Sequence, residues 1–447
     1  MGGKLVFLIL VLSVVSLEAK LHFQRDFPFS QRTILNYLFP KSPHITRVRK
    51  PEEVRTGKNA TVLDFIGLVE RHGYSAEEHY VTSEDGYDLV VHRISRSPFF
   101  KDSPQKKQVV FLQHGIWCTS DCWVLLGPDK DLAFLLADQG YDVWLGNWRG
   151  NSYCRRHRKI SPQDKEFWQF SQDEIATNDL PVMIDYVLHT TKQKTLRYIG
   201  HSMGTTVLLI LLSTKPEYNA KIKIGVLLSP VGILKDVSAI IEPIRPKIPQ
   251  IKEFFDSNEI YEVVPLTSTS VKIARTLCAE RAITQPVCTT IMFLITGFDA
   301  PQVNTTALPE ILSYFPAGGS TKNLYHYYQN IMAQKFQAYD YGPLGNYKHY
   351  GQKTPLIYDL KKIVAPLALF YGANDQINLR SNVLETSKFL PNVVLLEENP
   401  YKMFNHIDFT WAKDGKFLLF DRLIGLLQAF DVHTEKRNNY SNINIIF

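Results

Sequence analysis

The stretch Leu196–Leu208, L-R-Y-I-G-H-S-M-G-T-T-V-L, decides how this chain folds. A short apolar run, Tyr198-Ile199, enters Gly200-His201-Ser202-Met203-Gly204, and from Val207 the chain continues V-L-L-I-L-L, the composition of a buried helix. The order is strand, sharp turn, helix. Glycine on both flanks lets the backbone turn tightly and lets strand and helix pack closely. The Ser202 hydroxyl is then left at the tip of the turn, in front of a helix N-terminus that favours developing negative charge. This is the pattern of a nucleophile elbow. Composition alone yields G-x-S-x-G in roughly one chain in ten of this length, so the inference rests on the flanking periodicity and on residues downstream.

Upstream, Gln108-Val109-Val110-Phe111-Leu112 is a fully apolar run of the kind a parallel sheet buries on both faces, and it ends at Gln113-His114-Gly115-Ile116. A strand leading into His-Gly ahead of an elbow supplies the second oxyanion donor. The backbone N–H groups of Ile116 and Met203 are the candidates. A helical segment, Asp131 to Gln139, precedes the strand Tyr141 to Leu145, and then the polar loop Gly146–Tyr153. A helix from Ile175 to His189 leads to the elbow strand. Farther upstream, His79–Thr82 and Tyr87–His92 alternate around Ser83-Glu84-Asp85-Gly86, a hairpin signal. Four of the six tryptophans, Trp117, Trp123, Trp144 and Trp148, fall on these strand ends and suit an apolar pocket, although Trp123 and Trp144 read equally well as core.

Downstream of the elbow helix, Ile222–Leu228 is another buried strand, closed by Ser229-Pro230-Val231-Gly232. Strands and helices alternate to this point at the period of a right-handed parallel sheet. Residues 233–360 break that rhythm with Pro, aromatic and helical pieces, the signature of a cap or lid inserted between sheet strands. The sheet resumes at Pro366–Tyr371, followed by Gly372-Ala373-Asn374-Asp375. Asn392–Leu396 leads to Asn405-His406-Ile407-Asp408, and an amphipathic helix, Phe417 to Phe430, closes the fold. The expected organisation is a core over 61–232, the cap, a second core segment over 361–430 and a polar tail over 431–447.

The chain has 447 residues, 45% hydrophobic, with a net charge of +6 and no dense basic block interleaved with aromatics, so nucleic acid is not an expected partner. Met1–Lys4, the apolar run Leu5–Leu17 and Ala19 read as a signal peptide over 1–19. That run is short for a membrane span, so no transmembrane segment is expected in the mature protein, which is secreted or, alternatively, in the lysosome lumen. Residues 20–60 read as an N-terminal arm or, given Arg47-Val48-Arg49-Lys50-Pro51, a pro-segment. Asn59, Asn304 and Asn439 each begin an N-glycosylation sequon. Of five cysteines, Cys278 and Cys288 close a short loop that an oxidising compartment allows to be bridged, and Cys118, Cys122 and Cys154 form no metal constellation.

Attack on an ester needs a hydroxyl, a neutral imidazole to take its proton, and a carboxylate to hold the imidazole. Ser202, Asp375 and His406 occur in the order Ser, Asp, His, each a few residues beyond an expected strand. Asp408 is the rival acid, better explained by a helix start, and His201 and His114 are rival bases bound too closely to their own turns. No cofactor and no metal is required.

Several stretches together resemble the acid lipase family of the α/β-hydrolases, which includes gastric lipase, lysosomal acid lipase and insect lipases. They are G-Y-S-A-E-E-H-Y-V-T-S-E-D-G-Y, L-Q-H-G, G-Y-D-V-W-L-G-N-W-R-G-N-S-Y-C-R-R-H, G-H-S-M-G-T-T, L-S-P-V-G, A-P-Q-V-N, F-P-A-G-G-S-T-K-N-L-Y-H-Y, A-Y-D-Y-G, Y-G-A-N-D and N-H-I-D-F. The resemblance runs from about Ile66. It implies an α/β-hydrolase fold, a mostly parallel sheet with helices on both faces and a largely helical cap. It also implies hydrolysis of neutral-lipid esters, triacylglycerol or sterol esters, at a lipid–water interface, with Ser202, Asp375 and His406 as triad. Met203 and Ile116 stand where members commonly carry Gln and Leu, and Cys154 where Ser is usual. A carboxylesterase or phospholipase of the same fold, or a catalytically silent lipid-binding protein, is the alternative.

Overall fold

Eight strands carry the sheet: β1 Ser75–Thr82, β2 Tyr87–Arg96, β3 Val109–Gln113, β4 Asp142–Gly146, β5 Leu196–His201, β6 Ile222–Leu228, β7 Leu367–Tyr371 and β8 Val393–Glu398. A computed structural model describes residues 40, 45–54, 60–100 and 107–439, with side chains described to Asp431. The signal-peptide reading and Asn59 lie outside these residues. The strand order is β8-β7-β6-β5-β3-β4-β2-β1, with the two-residue strand Arg156–His157 paired to β2. From β4 to β8 every pairing is parallel. The pairings of β1 with β2 and of β2 with β4 are antiparallel. This is the α/β-hydrolase fold expected from the sequence.

Period-two alternation sorts the apolar strands between two cores. Val110, Leu112, Val143 and Leu145 face one side, with Phe134 and Leu423, whereas Val109, Phe111 and Trp144 face the other, with Met183 and Leu208. The covering helices include α1 Leu132–Asp138, α2 Leu180–Thr191, α3 Met203–Thr214 and α7 Asp421–Asn439. In α3 every residue from Met203 to Ser213 is buried, as an all-round apolar helix must be. The hairpin turns where expected, Gly86 supplying φ +102° and donating its N–H to the Ser83 carbonyl at 2.9 Å.

Two helix starts differ from expectation. Ile175–Asp179 and Lys416–Phe420 are π-helical turns that run directly into α2 and α7. At the other end α7 continues to Asn439, past the point where the sequence begins a polar tail, and the Asp431 carboxylate ion-pairs with Lys223 at 2.9 Å and with Arg197. The arm is docked by backbone and charge. Thr46–Val48 pairs in parallel with Thr61–Leu63, and the Arg47 guanidinium bonds Asp121 (2.8 Å), Tyr153 (2.7 Å) and Ser152 (2.8 Å).

Between β6 and β7 the chain leaves the sheet and builds a cap containing α4 Ile248–Ser257, α5 Gln285–Thr296 and α6 Thr321–Ala333. Glu262–Val263 pairs with Gly319–Ser320 within it. Cys278 and Cys288 are joined in a disulfide, and Cys118, Cys122 and Cys154 are buried free thiols. Among the described residues no helix is long and apolar enough to cross a membrane.

Buried carboxyls give the fold a pH signature. Asp131 accepts the N–H groups of Leu126 (2.6 Å) and Gly127 (2.7 Å), yet burial pushes its carboxyl up to about 8. Burial also raises Asp408, which faces Asp299. Such groups keep a proton in the folded state that the unfolded chain releases near pH 4, so their contribution is complete below about pH 4 and lost by about pH 8. Asp375, held low, contributes in the opposite sense at more acidic pH. The buried, neutral His114 and His201 act in the opposite sense below about pH 6.5, so we expect the melting temperature to fall between about pH 6.5 and 8, and Asp131→Asn to flatten that slope in scanning calorimetry. An unchanged slope would remove Asp131 from the account.

Candidate active site

Ser202 occupies the tip between β5 and α3 with φ +53° and ψ −118°, a conformation that non-glycine residues avoid. What holds it there is packing on both sides. A Cβ on Gly204 would stand 2.4 Å from the Gln113 carbonyl oxygen, and one on Gly200 would stand 2.8 Å from the Gly204 carbonyl. Only glycine lets helix, strand and the neighbouring loop approach so closely.

The loops after β6, β7 and β8 converge on this tip. His406 Nε2 lies 2.9 Å from Ser202 Oγ, and His406 Nδ1 lies 2.8 Å from Asp375 Oδ2. The remaining carboxylate oxygen, Asp375 Oδ1, accepts the N–H groups of Ile377 and Asn378, each at 2.9 Å. All three side chains are buried. Burial alone would raise the Asp375 carboxyl, but His406 and the surrounding donors outweigh it and hold the group below its ordinary value. An imidazole aligned between a fixed carboxylate and a hydroxyl can take the hydroxyl proton while its own cation is stabilised.

The rivals point elsewhere. His201 Nε2 lies 3.0 Å from the His406 carbonyl oxygen, and burial lowers the ring to about 3. His114 Nδ1 lies 2.8 Å from the Gly115 carbonyl, again with burial lowering it to about 3. Asp408 accepts the Asn405 N–H at 2.7 Å and faces Asp299, so it bonds the turn around His406 rather than the imidazole.

Met203 is the first residue of α3, where N–H groups have no partner inside the helix. Ile116 follows Gly115, whose Cβ, if present, would sit 3.2 Å from Ser202 Cβ. The two candidate donors thus belong to segments that meet beside the Ser202 tip. Asn304 is half-buried, its Oδ1 accepting the Ala307 N–H at 3.1 Å. Asn439 ends α7, and the rest of its sequon lies outside the described residues.

A cavity of about 1120 Å3 opens onto Ser202 and His406 beneath the cap. Ile248, Ile251 and Phe255, spaced as one stripe of α4, line it opposite Tyr327 of α6, and no residue of α4 is fully buried. The tryptophan expectation is corrected in part. Trp117 lines the cavity, whereas Trp123, Trp144 and Trp148 are core, the last against the His114 ring at 4.0 Å. The strip Thr296–Asp299, which starts on the last residue of α5, supports the site from the cap side. The Thr296 carbonyl accepts the N–H groups of Gln376 (3.4 Å) and His406 (3.3 Å), Gly297 accepts from Asn405 Nδ2 (2.9 Å), and Phe298 accepts from Asn374 Nδ2 (2.8 Å).

Sequence reasoning missed Ser229, whose hydroxyl donates to Asp375 Oδ2 at 2.6 Å. The signal was available: Ser229 follows β6 directly, on the strand edge where Ser202 and Asp375 also emerge.

A parallel sheet with this elbow and loops converging from successive strand ends defines an α/β-hydrolase. The family model described as "alpha/beta hydrolase fold" matches residues 108–410, and that described as "Partial alpha/beta-hydrolase lipase region" matches 65–127. Gastric triacylglycerol lipase of Homo sapiens is 36% identical over 376 residues, covering 84% of this chain and 93% of that protein. Lipase 3 of Drosophila melanogaster is 36% identical over 81% of this chain and 92% of its own length, and Lipase lipl-1 of Caenorhabditis elegans is 36% identical over 81% and 90%. The chain belongs to the acid lipase family of the α/β-hydrolases.

Proposed function

We propose that the protein hydrolyses carboxylic ester bonds of neutral lipids, triacylglycerol or sterol esters, through an acyl-enzyme on Ser202. The observation that carries this reading is the unbroken series from Asp375 to His406 (2.8 Å) to Ser202 (2.9 Å) at the floor of a cavity large enough for an acyl chain. The similarity to human gastric triacylglycerol lipase supports a triacylglycerol substrate.

In this mechanism His406 Nε2 takes the Ser202 proton as Oγ attacks the ester carbonyl. The N–H groups of Ile116 and Met203 receive the oxyanion, and the imidazolium returns the proton to the leaving alcohol. Water, deprotonated by the same imidazole, then releases the fatty acid. Asp375 keeps Nδ1 protonated and steadies the cation. We infer a secretory route ending outside the cell, supported by the leader-like start and the Cys278–Cys288 bridge.

The test is a panel of emulsified triacylglycerol, cholesteryl ester, phosphatidylcholine and a soluble short-chain ester, with fluorophosphonate labelling in parallel. We expect a label on Ser202 and turnover of an emulsified neutral lipid. Turnover of the soluble ester alone would make the protein a carboxylesterase, preference for phosphatidylcholine a phospholipase, and absence of labelling a lipid-binding protein.

A further inference from the structure

We propose that Ser229 is a positioning residue for the Asp375 carboxylate, its hydroxyl fixing Oδ2 on the line to His406 Nδ1. The inference rests on the Ser202–His406–Asp375 reading above and extends it to a fourth side chain.

Three observations converge. The first is contact. Ser229 Oγ donates to Asp375 Oδ2 at 2.6 Å and lies 3.2 Å from His406 Nδ1, so the oxygen that holds the imidazole is itself held by the serine. The second is backbone conformation. Ser229 has φ +51° and precedes Pro230, a position that ordinarily drives the preceding residue to extended geometry. Strain of this kind persists only where the surroundings over-determine it, and here the Ser229 N–H is bound to the Phe370 carbonyl at 2.8 Å while Asn378 Nδ2 donates to the Pro230 carbonyl at 2.6 Å. The third is enclosure. Ser229 is 1% exposed, so its hydroxyl answers to the carboxylate and the imidazole rather than to bulk water.

The charged and titratable groups around Asp375 are His406, His201 behind it and Asp408 from the following turn, with the amides of Ile377 and Asn378 on the other oxygen. Among them Ser229 is the neutral donor on Oδ2. Without it the carboxylate becomes more basic and takes up a proton, directly or through its partner imidazole, at higher pH. The pair titrates as a unit, so the effect is read on the whole site rather than on one residue. Ser229 thereby extends the working range of the site toward acid.

The experiment compares Ser229→Ala and Ser229→Gly with the unaltered full chain, measuring kcat and KM on a soluble ester from pH 4 to 8. Glycine removes the hydroxyl and also the strain at φ +51°, so agreement between the two variants isolates the hydroxyl. In both, the acid limb of the profile is expected to rise by about 0.5–1 pH unit. At pH 5 kcat should fall about three- to tenfold with KM within about twofold, and rates should converge on the unaltered enzyme by pH 8. Fluorophosphonate labelling at pH 8 should be retained. An acid limb that stays in place in both variants, or a loss equal at every pH, overturns the proposal. Full activity in Ser202→Ala would instead overturn the triad reading, and it is seen on a separate protein.

Discussion

Asp375→Asn is expected to lower kcat about 10,000-fold while the protein stays folded, the scale on which a triad works without its carboxylate charge. The asparagine is close to isosteric, and its carbonyl can still accept the Ile377 and Asn378 N–H groups that Oδ1 accepts now, each at 2.9 Å. What changes is the oxygen facing His406 Nδ1 at 2.8 Å, which becomes an amide bearing hydrogens. The imidazole then places its own proton on Nε2, the atom that must be bare to receive the Ser202 proton. KM should move little, because Asp375 does not line the cavity. A variant retaining more than about a tenth of kcat would show that another group orients His406, and Ser229 is the neighbour in reach at 3.2 Å.

Ser202→Ala is expected to be the most damaging change, about a million-fold in kcat, leaving only what the oxyanion donors and substrate binding supply. A second variant separates chemistry from strain. Ser202 sits at φ +53° and ψ −118°, a region glycine enters freely and other residues enter at about 1–3 kcal/mol. Ser202→Gly should therefore be as inactive as Ser202→Ala yet melt at a higher temperature than the active protein. A lower melting temperature for Ser202→Gly would mean that the hydroxyl, rather than the surrounding packing, holds the turn together.

The residues that could be read in the sequence were those governed by local periodicity. β6 is Ile222–Leu228 in both accounts, and the other central strands agree within about two residues, because buried parallel strands are unbroken apolar runs. Ser202, Asp375 and His406 were legible because each follows such a run, and chain order then links them. Ser229 follows one too, but it has no motif chemistry of its own and acquires meaning only when Asp375, 146 residues away, is placed against it. The Asp299–Asp408 contact was hidden for the same reason. Cap helices such as α4 carry short stripes that face a cavity rather than a core, so the alternation that signals burial is weak there. Trp148 was read toward the pocket because a side chain just past a strand can turn inward or toward the ligand, and it turns inward, as do Trp123 and Trp144, which the sequence left open.

The strip at the end of α5 sets a mechanical condition on how a bulky ester reaches the hydroxyl. Backbone carbonyls from Thr296 to Phe298 are anchored to the segments bearing Asp375 and His406, and Cys278–Cys288 staples the start of the same helix to its neighbour. Hoisting the entire roof would drag two of the three reacting side chains out of register. The rear of the roof is thus a fixed strut, whereas its front along α4, Ile248–Ser257, is nowhere fully enclosed and carries no such tie to the triad segments among the described hydrogen bonds.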